Sequence, residues 1–151
     1  MDAVDRLILE ALRTNARASW AELGRQVGLS GPSTQERVRR LEERGVISGY
    51  RTVLAPAQVD LGVSALVGLI QGDDVESEDV ADQLRDVHEV EDCWYVAGEE
   101  NFVVKVRASD VAALEAVVAK LRRLPGVSRT RTTVVLSTRW EGRDVPLPDA
   151  D

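Results

Sequence analysis

The chain has 151 residues, 44% hydrophobic and 30% charged, the composition of a globular protein of one domain or two small ones. No apolar run approaches the roughly 18 residues of a membrane span, and residues 1–5 lack the basic and apolar regions of a secretory signal. A single cysteine, Cys93, excludes an internal disulfide and points to a reducing cytoplasm. The net charge of −7 argues against a nucleic-acid partner only until it is divided: residues 1–52 hold nine arginines and seven acids, and the remainder carries the whole negative excess.

Val4, Leu7, Ile8, Ala11 and Leu12 recur at helical spacing and predict a first helix with one apolar face. Asp2 and Asp5 suit the positive end of its dipole. Ser19-Trp20-Ala21-Glu22 is a capping box, opening a second helix expected to bury Trp20, Leu23 and Val27, with Gly24 leaving room for a crossing helix. Gly28-Leu29-Ser30 breaks that helix. Ser30 then caps a third, which tolerates Pro32 in its first turn, turns Thr34, Val38 and Leu41 inward, and ends near Arg44 at Gly45. Two helices joined by a short glycine-containing turn form the helix-turn-helix motif. Residues 46–54 predict a small hairpin, a wing, and Pro56 and Gly62 bracket a linker.

The second half has a different rhythm. Residues 63–70 form an apolar run typical of a strand buried on both faces. An acidic loop follows at residues 72–78, then a short helix marked by Val80, Leu84 and Val87. Residues 91–97 and 102–107 predict two strands joined at Gly98-Glu99-Glu100-Asn101. Val111, Leu114, Val118 and Leu121 mark another helix, and residues 128–138 a last strand rich in Thr and Val. The order β-α-β-β-α-β is the split βαβ pattern, in which two helices cover one face of a four-stranded sheet. The expected fold is α+β: a winged helix-turn-helix at residues 1–54, a linker at 55–62, a ferredoxin-like αβ-sandwich domain at 63–138 and a flexible tail at 139–151.

With these elements placed, the chain resembles the Lrp/AsnC, or feast/famine, family of prokaryotic regulators. The resemblance is carried by Asp5-Arg6-Leu7-Ile8-Leu9, Asn15-Ala16-Arg17, Glu22-Leu23 and Val27-Gly28-Leu29-Ser30. Its strongest stretch is Arg37-Val38-Arg39-Arg40-Leu41-Glu42 followed by Gly45-Val46-Ile47-Ser48-Gly49-Tyr50. The resemblance implies a DNA-binding regulator whose second domain dimerises, builds higher even oligomers and binds an effector between subunits, typically an amino acid.

Measured from the inward stripe at about 100° per residue, Glu36, Arg39 and Arg40 lie on the far side of the third helix. Ser33 and Arg37 flank them on one side and Gln35 on the other. A recognition helix reads bases mainly with its N-terminal residues, which nominates Ser33, Gln35 and Glu36 for base edges. Arg37, Arg39, Arg40 and Arg44 are placed for phosphates. The competing reading is a solvated basic face. A dimeric reader implies a pseudo-palindromic operator in double-stranded DNA.

Gly98, Glu99, Glu100, Asn101 and Phe102 read either as a polar hairpin turn or, through the resemblance, as part of the effector site. There the family pattern Gly-x-x-Asp is changed to end in Asn101, so Glu99 or Glu100 would supply the missing charge. Thr130, Thr132 and Thr133 resemble the family's Thr-rich partner segment. Cys93 and His88 are the only residues of their kinds and do not make a metal site or a nucleophilic pair. Neither a cofactor motif nor a catalytic constellation is present, so no cofactor and no enzyme activity is expected. An architectural DNA-binding protein without an effector, and a metabolite-handling domain with an incidental helical module, are the alternatives.

Overall fold

The computed structural model describes residues 1–72, 76–143 and 145–148. The predicted acidic loop falls partly outside these residues. The chain divides into two compact units, one comprising Met1–Thr52 and Trp140–Asp151, the other Val53–Arg139.

The first unit is built on three helices, α1 (Ala3–Thr14), α2 (Trp20–Val27) and α3 (Gly31–Glu43). Their ends follow from short polar residues at the right places. Asp2 and Asp5 form a reciprocal capping box on α1, a stronger role than the dipole complement expected of them. Ser19 and Glu22 do the same on α2. Gly28 ends α2 in the left-handed conformation, with φ at 72°. At the end of α3, Gly45 N–H donates to Glu42 O and Val46 N–H to Leu41 O, both at 2.9 Å, with Gly45 at φ 68°. That is a Schellman closure. The core of the unit is Ile8, Leu12, Leu23, Val38 and Leu41.

Two core expectations need correction. Leu7 is 54% exposed, because α1 buries a narrower stripe centred on Ile8 and Leu12. Trp20 is 39% exposed: it is the first residue of α2, one turn before Leu23 enters the core. The predicted wing is a further difference. Residues 46–55 contain no strand pairing. Val46 and Ile47 turn both N–H groups back onto Leu41 O, and the Tyr50 hydroxyl donates to Glu42 at 2.9 Å. A lone two-stranded hairpin is marginal in water, and here the backbone donors are taken by the helix end. In the tail, Arg6 donates to Pro148 O and Arg13 to Val145 O.

The second unit opens with a 3-10 turn, Pro56–Val59, inside the expected linker. It continues with β1 (Val63–Gln71), α4 (Ser77–Arg85), β2 (Val90–Tyr95), β3 (Phe102–Ala108), α5 (Val111–Arg122) and β4 (Val127–Val135). This is the βαββαβ order read from the sequence. All pairings are antiparallel and the strand order is β2-β3-β1-β4, so β1 and β3 are central and β2 and β4 are edges.

Alternation divides the sheet into two faces. Ala65, Val67 and Leu69 of β1 and Phe102, Val104 and Val106 of β3 are buried with Val80, Leu84 and Val87 from α4 and its exit. Leu114, Val117 and Leu121 complete that core from α5. Val111 is 73% exposed and Val117 is buried with Val118 only partly covered beside it, because the covered stripe keeps Leu114 and Leu121 and differs from the expected one at its margin. The opposite face carries Leu66, Gly68, Val103, Trp94 and, on β4, Arg129, Arg131 and Thr133. Leu66 and Trp94 are 38% and 47% exposed, so β1 is covered on one face rather than two within a single chain.

Candidate DNA-binding helix and sensor loop

The orientation of α3 is fixed by its neighbours. Thr34, Val38 and Leu41 point into the core, and the Thr34 hydroxyl donates to Ser30 O at 2.9 Å. Gly24 of α2 lies where a Cβ would stand 2.5 Å from Leu29 O and 3.1 Å from Thr34 Oγ1, so only glycine lets the turn and α3 approach this closely. Rotation about the helix axis then sends Gln35, Glu36, Arg39 and Arg40 outward, and all four are exposed or nearly so.

The nominated residues are not equivalent. Ser33 sits in the first turn with its hydroxyl 2.8 Å from Ser30 Oγ, part of the cap. Gln35 projects into solvent. Glu36 accepts a two-pronged pair of hydrogen bonds from Arg39, at 2.9 and 2.7 Å, and lies 3.6 Å from Arg40. These bonds hold the Glu36 carboxyl below the usual carboxylate range. Arg39 also pairs with Glu43, and the two carboxylates raise its already high pKa. Arg40 keeps 59% of its side chain in solvent. Arg44 caps the helix end and is exposed.

Arg37 behaves differently. Its Nη1 donates to Asp2 at 2.6 Å and Asp5 at 2.8 Å, the two acids of the α1 capping box, and its side chain is only 28% exposed. Its hydrogen bond holds the Asp2 carboxyl below its ordinary value, and the acids in turn raise the Arg37 pKa. Arg37 thus ties α3 to the start of α1, across more than 30 residues of sequence, and its guanidinium is engaged inside the unit. Sequence spacing within one helix carries no signal of this pairing.

In the second unit, Gly98-Glu99-Glu100-Asn101 joins edge strand β2 to central strand β3. Glu99 accepts from Arg129 at 3.3 Å and from Arg131 at 2.8 Å, and Arg131 also reaches Glu100 at 3.1 Å. Glu100 lies across the open sheet face over Gly68, where a Cβ would meet its Cγ at 2.5 Å. Asn101 closes the loop: Oδ1 accepts from Gln71 N–H at 2.8 Å, while its own N–H donates to Leu69 O at 2.9 Å. An aspartate would offer the same acceptor oxygen, so the amide keeps the structural bond and gives up only the charge.

Phe102 points to the helix side, buried and edge-to-face with Tyr95 at 5.2 Å. Strand alternation also separates the threonines. Thr130 and Thr132 pair with Leu69 and Val67 on the helix side, whereas Thr133 shares the open face with Arg129 and Arg131. Glu99, Glu100 and Thr133 are thus on one side of the sheet, and Phe102, Thr130 and Thr132 on the other. Arg129 and Arg131 were not nominated from sequence, although the period-two spacing of residues 129, 131 and 133 marks one face of a strand.

A turn-linked pair of helices with a solvent-facing, arginine-bearing second helix, joined to a βαββαβ unit, defines a helix-turn-helix regulator with an appended ligand-type domain. Comparison with known proteins agrees. Residues 1–42 match the AsnC-type helix-turn-helix domain and residues 63–145 the Lrp/AsnC ligand binding domain. The chain is 38% identical over 143 residues to the HTH-type transcriptional regulator LrpA of Mycobacterium tuberculosis, covering 95% of each chain. It is 36% identical over 139 residues to the leucine-responsive regulatory protein of Escherichia coli K12, covering 90% of this chain and 85% of that one. Among solved structures it is similar to a feast or famine regulatory protein from M. tuberculosis complexed with L-methionine. There the identity is 38% and the TM-score 0.91, over 97% of this chain and 99% of that one. The chain belongs to the Lrp/AsnC family of DNA-binding transcriptional regulators.

Proposed function

We propose that this regulator reads DNA with the outward row of α3 and that an amino acid, bound beside the loop at residues 98–101, modulates that binding. The observation that carries the first part is the division of α3 into an inward stripe of Thr34, Val38 and Leu41 and an outward row of Gln35, Glu36, Arg39 and Arg40. Gln35 and Glu36 lie toward the helix N-terminus, the end that meets base edges in a major groove. Ser33 joins them when its cap bond is exchanged for a base contact. Arg40, Arg44 and Arg39 take phosphates, Arg39 after exchanging carboxylate partners for phosphate oxygens. Arg37 instead holds α3 in position. Affinity for a duplex selected from a random pool, measured by anisotropy across a salt series, tests this. Each lost phosphate contact lowers the log–log slope by about 0.9.

The amino-acid reading rests on the relative solved with L-methionine and on the charge pattern of the loop. Glu99 and Glu100 face Arg129 and Arg131 across the open sheet face, offering anionic and cationic groups to the two ends of a zwitterion. Asn101 and Gly98 shape the backbone of the loop. Thr133 adds a hydroxyl on the same face.

The exposed Leu66 and Trp94 on that face favour a homodimer, and higher even oligomers, as the working form, since soluble monomers seldom expose a contiguous apolar patch. Sedimentation at micromolar concentration tests the dimer. No helix among the described residues is long and apolar enough to cross a membrane. We place the protein in the cytoplasm and assign it no enzymatic role. The internal pairing of Glu99 and Glu100 favours one second reading, an architectural protein whose loop is already satisfied and takes no ligand.

A further inference from the structure

Val145-Pro146-Leu147-Pro148 lies in the same compact unit as the three helices. Arg13 of α1 donates to Val145 O at 2.7 Å, and Arg6 donates to Pro148 O. The two arginines are two helical turns apart, so they share a side of α1 and stand about 10 Å from one another along its axis. Each proline fixes its own φ and keeps the residue before it extended. At about 3.1 Å per residue, the stretch from Val145 to Pro148 spans about 9 Å. The two spacings match, and the segment runs antiparallel to α1. Leu147 is half-buried between the two bonds, whereas Val145 is 77% exposed. Arg6 Nε is buried, and Glu10 steadies Arg13 at 3.1 Å.

The clamped part of α1 is the part that holds α3. Arg6 follows Asp5, and its N–H donates to Asp2 O at 3.2 Å. Asp2 and Asp5 are the acids that receive Arg37. Direct contacts therefore run from Pro148 through Arg6 to the α1 capping box, and from there to Arg37 of α3.

We propose that residues 145–148 are a strap: by clamping α1 they fix the acids that hold Arg37, and so keep α3 in the position that reads DNA. The strap continues the chain beyond β4, the strand of Arg129 and Arg131. It thus gives the helical unit a second covalent link to the ligand-type domain, besides the one that leads into β1. The assignment rests on α3 being the reading helix.

The test uses a full-length P146G/L147G/P148G variant, which keeps every charge and every backbone carbonyl but loses the stiffness of the segment and the Leu147 side chain. Hydrogen exchange read by mass spectrometry should show α1 amides exchanging about tenfold faster, the worth of one hydrogen bond to a charged group. Arg6→Gln, which removes the donor from the helix side, should reproduce that change. Affinity of the glycine variant for a duplex selected from a random pool should fall about three- to tenfold, with an unchanged salt slope because no cation is lost. A double-mutant cycle supplies the evidence of coupling that contiguity alone does not. Added to Arg37→Ala, the glycine substitutions should weaken DNA binding by less than about twofold more, since the route to α3 is already cut. Unchanged α1 exchange, full additivity with Arg37→Ala, or DNA binding as tight as or tighter than the parent's overturns the strap and leaves the α3 reading intact. Absence of DNA binding by the parent chain overturns both.

Discussion

Replacing Gly24 by alanine should damage the helix-turn-helix through a single methyl group. The new Cβ would stand 2.5 Å from Leu29 O and 3.1 Å from Thr34 Oγ1. Neither neighbour is free to retreat. Leu29 N–H donates to Gly24 O at 2.8 Å, and Thr34 Oγ1 is held on Ser30 O at 2.9 Å. Alanine gains about 1 kcal/mol over glycine in helix propensity. Overpacking against fixed atoms costs about 1–3 kcal/mol. Because the first contact is with backbone, the upper part of that range applies, and the net loss should be about 1–2 kcal/mol. Gly31→Ala is the control: its Cβ would meet nothing closer than Ala21 N at 3.6 Å, so it should be neutral or stabilising by up to about 1 kcal/mol. Urea unfolding in the W94F/W140F background, followed by Trp20 emission, reports the helical unit. DNA affinity should fall with G24A and hold with G31A. A G24A midpoint equal to or above the parent's would refute the close-approach argument.

Other expectations concern charge. Arg37→Ala should lower the unfolding midpoint of the helical unit and leave the salt slope of DNA binding unchanged, since its guanidinium serves Asp2 and Asp5. Arg40→Ala should do the reverse, reducing the slope by about 0.9. The Asp2 carboxyl is held below its ordinary 3.8 in the folded chain, first by Arg37. Its contribution to stability is therefore complete above pH 3.8 and lost as pH falls through the lower folded value. Asp2→Asn should flatten that acid limb in a pH series of melting temperatures. Asn101→Asp keeps the acceptor for Gln71 N–H. It should leave stability near that of the parent while tightening amino-acid binding in calorimetric titration.

Local chemistry made most of the fold legible. Ser19 with Glu22, Ser30, and Gly45 each mark a helix end through one or two hydrogen bonds between near neighbours, and the structure places the ends there. The apolar spacing of α4 likewise located its buried side, whereas the apolar run of β1 pointed to burial on both faces and only one is covered within the chain. What sequence could not supply was the choice between adjacent residues at the margin of a stripe. Leu7, Trp20 and Val111 fit the helical period, but the packing partner decides which edge is covered. The wing failed for a related reason: residues 46–54 suggested a small hairpin, while the donors of Val46 and Ile47 were claimed by Leu41 O.

The sites were legible as segments and illegible as networks. The outward side of α3 follows from a 100° rotation per residue. The commitment of Arg37 to Asp2 and Asp5, by contrast, depends on how α1 crosses α3. At the sensor loop the residues were found but their sides were not. Period-two alternation separates Thr133 from Thr130 and Thr132, and it puts Arg129 and Arg131 opposite Glu99 and Glu100. A loop read as a polar turn or as an effector-site source of negative charge is, in the folded chain, half of a paired cluster.

The coupling between that cluster and α3 is tested most directly by one titration: anisotropy of a selected duplex, repeated with each common L-amino acid at millimolar concentration. At least one amino acid should displace the binding midpoint, and Glu99→Gln should abolish the displacement while leaving unliganded DNA affinity unchanged. An isotherm that none of the amino acids moves, with DNA binding intact, would contradict the account and leave an effector-independent architectural protein in its place.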